Sequence, residues 1–365
     1  MKQYFFCCIA LIAITIQISA QYNFSVEKFL KCTPVQDQQN TNTCWSFATT
    51  SFLESEMLRT GRPTVNLSEM YTVRKIYLDK ARNYLLRQGK ANFAEGGLSH
   101  DVIHATATYG VMPEFAYPGK LQAEDIHSHA ELAIVLKSVL DGILAKHVVS
   151  EKWPDVINAI LDVYLGPVPQ NFTVGTQSFT PDTYMQSLQL NMEDYVSITS
   201  FTHHPFYQKF VLEIPDNHAN GSYYNVPQED FLRITRNAIE HGFTVAWDGD
   251  VSEGSFNTQL GIAVVPESER EDVFVRPGNE QLITQQGRQQ QFENYSTTDD
   301  HLMHMTGLAR DQNGTGYFLV KNSWGETGAY SGFLYMSESY FMAKTIAIMV
   351  HRDAIPDDIS SRITF

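Results

Sequence analysis

A polar loop, Pro34–Thr43, gives way to apolar residues at helical spacing. Trp45, Ala48 and Phe52 share one face and Leu53 and Met57 extend it, which predicts a helix running to about Arg59, with Thr41, Asn42 and Thr43 as N-cap candidates. A second helix is expected after Asn66-Leu-Ser-Glu-Met, capped by Ser68, with Met70, Val73, Tyr77 and Ala81 on its apolar face. Phe93-Ala-Glu-Gly-Gly-Leu breaks the pattern, and a third helix spans Asp101–Tyr109 and closes at Gly110, ahead of Pro113 and Pro118. Helical periodicity returns over Ile126–His147 and Pro154–Leu165, stopped by Gly166 and Pro167. Two strand-like runs follow, Asp194–Phe201 and Phe210–Ile214. Tyr223-Tyr-Asn-Val-Pro then leads into a helix bearing Phe231, Ile234 and Ile239.

The last third reads as antiparallel β: Phe243–Trp247, His301–Ala309, Tyr317–Val320, Phe333–Met336 and Thr345–Val350, with Arg310-Asp-Gln-Asn-Gly-Thr-Gly as a hairpin turn. The Gln-rich tract Gln285–Gln291 is expected on the exposed face of a short helix. The pattern is therefore α+β. A helical half precedes a β half, with a helical insertion over about residues 121–222 and a tail at 354–365.

Composition adds an address. Lys2, the apolar run Tyr4–Ile14 and Ile18-Ser19-Ala20 predict a signal peptide over residues 1–20, cleaved before Gln21. The expected location is secreted or periplasmic, with no membrane association after removal. The 43% hydrophobic content supports a sizeable core, so residues 21–365 are read as one elaborated domain. The net charge of −15 speaks against nucleic acid or anionic membranes as partners and is read as a solubility feature. Outside the leader only Cys32 and Cys44 remain, too few for a disulfide scaffold, and the two are expected to stay unpaired.

Cys44 is the focus of the chemistry. It falls in the first turn of the first helix, where the partial positive charge favours a thiolate. By itself a lone cysteine is more often a small buried apolar residue. Two stretches of the β half change that reading. Asp299-Asp-His opens a strand with His301, and Val320-Lys-Asn-Ser-Trp-Gly-Glu ends the next strand with Asn322 and Trp324. A thiol attacking an amide needs an imidazole to take its proton and return it to the leaving amine. A third group, the Asn322 amide oxygen, would orient that imidazole, and Trp324 would shield the bond from water. The Gln38 side-chain amide and the Cys44 backbone N–H would serve the oxyanion. His304 competes for the role of base. A strand turns residues 301 and 304 to opposite faces, and the preceding aspartate and the spacing to Gly307 favour His301. Gly96 and Gly97 permit close approach by a substrate backbone, or form an ordinary turn. The pairs His127/His129 and His203/His204 lack carboxylate or cysteine partners at ligand spacing in the sequence. They are read as surface or loop histidines; no metal and no cofactor is expected.

Gln-x5-Cys-Trp-Ser-Phe, the strand-initial Asp-His and Lys-Asn-Ser-Trp-Gly-Glu occur in an order that resembles the papain-like cysteine peptidases. Thr41 standing where a second cysteine precedes the nucleophile, the long insertion, and the Tyr-Tyr-Asn-Val-Pro and Trp-Asp-Gly-Asp-Val stretches resemble the bleomycin hydrolase and aminopeptidase C branch. The resemblance implies a papain-like fold with the cleft between the two halves. By position it makes Cys44 the nucleophile, His301 the base, Asn322 the orienter and Gln38 the oxyanion donor. It makes Gly96 and Gly97 the substrate-binding strip, with Glu95 departing from the asparagine usual before them. It implies peptide substrates, an aminopeptidase whose C-terminal tail reaches the cleft, and a homo-oligomer. An endopeptidase with an open cleft, an acyl transferase, and a non-catalytic secreted binding protein on the same fold are the alternatives.

Overall fold

The computed structural model describes residues 21–146 and 148–363. The expected signal peptide, residues 1–20, lies outside the described residues, as do His147 of the Ile126–His147 run and the tail residues Thr364 and Phe365.

After strand β1 (Ser25–Phe29), the helical half comprises α1 (Cys44–Arg59), α2 (Glu69–Leu86) and α3 (Ser99–Tyr109). Ser68 caps α2 as expected, its side chain accepting from the Tyr71 N–H. The next segment holds α4 (Ala130–Leu144), α5 (Trp153–Leu165), the hairpin β2 (Phe172–Val174) and β3 (Gln177–Phe179), and α6 (Pro181–Leu188). Three strands follow, β4 (Tyr195–Thr199), β5 (Lys209–Val211) and β6 (Ser222–Asn225). The β half contains α7 (Gln228–Glu240), β7 (Val245–Gly249), β8 (Phe256–Asn257), β9 (Ile262–Ala263) and α8 (Gln285–Glu293). It ends with β10 (His301–Arg310), β11 (Gly316–Lys321), β12 (Phe333–Ser337), α9 (Glu338–Lys344), β13 (Thr345–His351) and α10 (Asp357–Ser360).

One sheet runs in the order β5-β6-β4-β13-β7-β10-β11-β12-β9-β8, with β1 pairing the far end of β10. The stretch 121–222 is thus not simply helical. Its second part adds strands to the edge of the main sheet, because β4 pairs β13 antiparallel and β6 pairs β4.

The sheet is covered on both sides, which fixes which strand residues face which helices. Leu302, Ala246, Ala347 and Met349 join Phe52 of α1 in one core. Met303, Met305, Trp247, Ile348 and Val350 join Phe231 and Ile234 of α7 and Phe341 of α9 in the other. Helix α1 is buried from Cys44 through Met57, so it acts as a central support with no solvent face over that length. A buried helix beside a strand start is what delivers Cys44 to the neighbourhood of His301.

The described part of the tail, up to Ile363, lies away from the cleft. Asn237 of α7 donates to the Ala354 carbonyl at 2.8 Å, Arg233 pairs with Asp358, and the Arg362 guanidinium lies over the Tyr207 ring. Ile355, Ile359 and Ile363 are buried in the core that α7 and α9 cover. Apolar anchors at these three positions hold the described tail against α7, and none of it lines the cleft that contains Cys44. The Gln-rich tract is also not simply exposed. Gln289 of α8 is buried, its Oε1 accepting from the Thr202 N–H at 2.6 Å.

Candidate active site

Helix α1 begins at Cys44 because Ser46 and Phe47 donate to the Thr43 carbonyl and start the ladder there. As the first helical residue, Cys44 keeps a backbone N–H with no intrahelical acceptor. Thr43 is the N-cap residue by position but makes no side-chain cap; its hydroxyl meets that of Thr41 at 2.5 Å.

Asn322 follows β11, and its amide is pinned. The Ser323 N–H donates to Asn322 Oδ1 at 2.8 Å, so this atom is the oxygen. His301 Nε2 lies 2.8 Å from the same oxygen and must therefore donate to it. That fixes the tautomer and leaves Nδ1 as the basic nitrogen. Trp324 stacks on the His301 ring at 4.6 Å between centroids, and covers the His301–Asn322 bond.

Gln38 is clamped at both ends. Its Nε2 donates to the Thr41 carbonyl at 2.6 Å. Its Oε1 accepts from Ser323 Oγ at 2.7 Å, and its backbone N–H donates to the Ser323 carbonyl at 2.9 Å. Ser323 therefore ties the Gln38 loop to the Asn322 loop. Its neighbour Asn322 drew attention by its side chain; nothing in the local pattern marked Ser323, whose partner is far away in the chain.

The backbone N–H of Leu302, next to His301, hydrogen-bonds toward the Cys44 sulfur. Even so, burial pushes the Cys44 thiol up to about 12, and the Asp299 and Asp248 carboxylates add to the rise. Burial also pushes His301 down to about 4, against the opposing bond to Asn322. The helix start is present, but loss of water outweighs its partial charge and raises the thiol.

An open cleft of about 580 Å³ is lined by Cys44, Trp45, the Phe93–Gly97 stretch, Ile134, Asp216, Asp299, Asp300 and Leu302. Both glycines sit in crowded surroundings. A Cβ on Gly96 would fall 1.8 Å from Asp216 Oδ2, and one on Gly97 would fall 2.9 Å from the Trp45 ring. Glu95 accepts from the Asn42 N–H with its side chain and from Trp45 Nε1 with its carbonyl, which fastens the strip to the start of α1.

His304 faces away from this cleft. Lys321 donates to Ser51 Oγ at 2.8 Å, and Ser51 in turn meets His304 Nδ1 at 2.9 Å, in a buried network behind α1. The paired histidines His127/His129 and His203/His204 lie in loops as expected, and what needs correction is their partners. His127 and His129 are buried. His203 and His204 do have a carboxylate partner, Glu213, at 3.1 and 2.8 Å. It was missed because β5 brings Glu213 back beside the pair. Gln289, whose oxygen is held by Thr202, points its NH2 at His203 Nδ1. This places the proton on the His203 nitrogen facing Glu213, an arrangement suited to a hydrogen-bonded pair and opposed to metal ligation by that nitrogen.

Comparison with known proteins gives the following. The Peptidase C1-like family model matches residues 169–364 and the papain family cysteine protease model residues 20–181. An aminopeptidase C of Listeria monocytogenes is 23% identical over 390 residues, covering 94% of this chain and 86% of that protein. The bleomycin hydrolase of Homo sapiens is 22% identical over 383 residues, covering 89% and 82%. The crystal structure of PepW from Lactobacillus rhamnosis superposes with a TM-score of 0.72 at 18% identity, covering 93% of this chain and 84% of that one. This last likeness shows the shared α+β, papain-like fold.

Proposed function

The chain belongs to the Peptidase C1-like family and is a papain-like cysteine peptidase of the bleomycin hydrolase branch, and on that premise we propose that it removes residues from the N-termini of peptides, with Cys44 as nucleophile. In this reading the Cys44 thiol gives its proton to His301 Nδ1 as the substrate carbonyl arrives. The sulfur attacks the carbonyl carbon, and the Cys44 N–H and the free hydrogen of the Gln38 amide receive the developing oxyanion. The imidazolium then protonates the leaving amine. In the second half His301 draws a proton from water, which attacks the thioester and releases the acid. Asn322 holds the ring in the donor orientation throughout.

The observation that carries this reading is the Trp324-covered His301–Asn322 hydrogen bond, one residue from the Leu302 N–H that reaches the Cys44 sulfur. The names of the relatives, aminopeptidase C and bleomycin hydrolase, support the N-terminal direction. A second reading, an endopeptidase with an open cleft, is favoured by the tail, which packs on α7 through Ile363.

The test is hydrolysis of free-amine and N-acetylated peptides side by side, with a Cys44→Ala control. Cleavage of the free-amine peptide alone supports the aminopeptidase; equal cleavage of both replaces it with the endopeptidase. If Cys44 reacts with iodoacetamide no faster than a free thiol, and neither peptide is cut, the catalytic assignment is wrong. Export behind residues 1–20 is part of the same proposal, tested by N-terminal sequencing of the mature chain.

A further inference from the structure

We infer that Asp216, Asp248 and Asp299 form a pocket on the cleft wall beside Cys44 that binds a cationic nitrogen of the substrate. This deepens the peptidase reading and rests on it for the word substrate.

The three carboxylates come from separate parts of the chain. Asp216 lies in the loop after β5, Asp248 is in β7, and Asp299 precedes β10. Strand pairing sets Asp248 opposite Leu302, the residue whose N–H reaches the Cys44 sulfur. Asp216 and Asp299 line the cleft with Cys44, and the Asp216 carboxylate lies against Gly96 of the glycine strip.

What separates this group from an ordinary acidic patch is its unmet hydrogen bonding. Asp248 is only 4% exposed. Asp248 and Asp299 hydrogen-bond each other, but among the described residues no N–H or hydroxyl reaches either oxygen of Asp248 or Oδ2 of Asp299. Buried carboxylates left in this state are costly and are retained where something arrives to satisfy them. Two lysines are close, but the Lys80 ammonium is committed to the backbone carbonyls of Ala94 and Gly96, and Lys137, which also lines the cleft, is paired with Asp141. The Tyr223 hydroxyl, also near the group, is engaged with His100 Nδ1.

Burial and mutual repulsion raise Asp299 to about 7 and Asp248 well above the usual carboxylate range, and raise Asp216 as well. An incoming ammonium or guanidinium would offset both causes and favour the ionised carboxylates. Such a group has two sources in a peptide: its own N-terminus, or a lysine or arginine side chain.

The experiment measures peptide binding to the Cys44→Ala protein by calorimetry, which keeps recognition apart from turnover. Three peptides of one length are compared: neutral side chains with a free N-terminus, N-acetylated with one lysine, and N-acetylated with neutral side chains. At least one cationic peptide is expected to bind roughly tenfold or more tighter than the capped neutral one, the scale of a charge-assisted hydrogen bond. Which of the two does so identifies the source. Adding Asp248→Asn and Asp299→Asn should bring the ratio close to one without lowering the melting temperature, since each puts a neutral amide of the same shape where burial opposes a charge. If that protein does not fold, Asp216→Asn is read for the same loss of ratio. Equal binding of all three peptides, or a ratio that survives these substitutions, overturns the pocket. Turnover by the intact enzyme separates the two claims. Cleavage with no charge preference sinks the pocket alone, whereas charge-dependent binding with no cleavage of any peptide sinks the peptidase reading alone.

Discussion

Replacing Ser323 by alanine tests whether Gln38 works as a positioned donor. Ser323 is 5% exposed and its hydroxyl donates to Gln38 Oε1 at 2.7 Å. Without it, the oxygen of a buried amide loses its donor, which should cost about 1–3 kcal/mol of stability. The bond from Gln38 Nε2 to Thr41 remains, so the amide is loosened and not lost. Complete removal of an oxyanion donor costs about 3 kcal/mol, or roughly 100-fold in kcat. A loosened donor should cost about half of that, close to tenfold. The assay is kcat and KM for one good peptide in Ser323→Ala, Gln38→Ala and the double variant. The expected result is a fall of roughly tenfold in kcat for Ser323→Ala with KM nearly unchanged, because the interaction strengthens only as the oxyanion forms. In the Gln38→Ala background the same substitution should cost less than about twofold, since its target is gone. If it still costs about tenfold there, Ser323 acts through its neighbour Asn322, and the clamp reasoning is refuted.

Three further outcomes are expected. Trp324→Ala uncovers His301, so its depressed pKa should rise toward the ordinary histidine range and the acid limb of the kcat/KM profile should move to higher pH; an unmoved limb would contradict the shielding role. Glu54, on the buried surface of α1 with its carboxylate accepting from Thr33 and Leu67, is raised to about 7 by burial, so its contribution to stability is present below the ordinary glutamate range and is lost as pH rises through about 7. Thermal melts of the wild type and Glu54→Gln should therefore shift in favour of the variant between about pH 4.5 and 8, and a gap that is constant with pH would count against it. Gly97→Ala puts a methyl 2.9 Å from the Trp45 ring and 3.1 Å from Asp101 Oδ2, with an expected loss of about 1–3 kcal/mol in stability and a raised KM; an unchanged melt and KM would show that the strip can yield.

The sequence was sufficient for those features that depend on neighbours in the chain. Helix α1 starting at Cys44, Ser68 capping α2, the strand opening at His301 and the turn that returns Asn322 all follow from local periodicity, capping and turn chemistry. These signals act over a few residues and survive folding unchanged. The order of three short motifs was enough to bring Cys44, His301 and Asn322 together in argument before their geometry was known.

Tertiary structure decided what depends on water and on distant partners. The helix start at Cys44 argued for a thiolate, but burial of the sulfur reverses the balance, and burial belongs to the whole fold. The tail was legible as polar with a proline, yet Ile355, Ile359 and Ile363 commit its described residues to the core under α7. Ser323 gains its meaning from Gln38, Glu213 from His203 and His204, and Asp248 from Asp216 and Asp299. None of these pairings leaves a periodic trace, because the partners sit on elements whose adjacency is fixed only by the order of strands in the sheet. Local chemistry therefore picked out the candidate side chains Cys44, His301 and Asn322, and long-range packing set their burial, their supports and the acidic wall beside them.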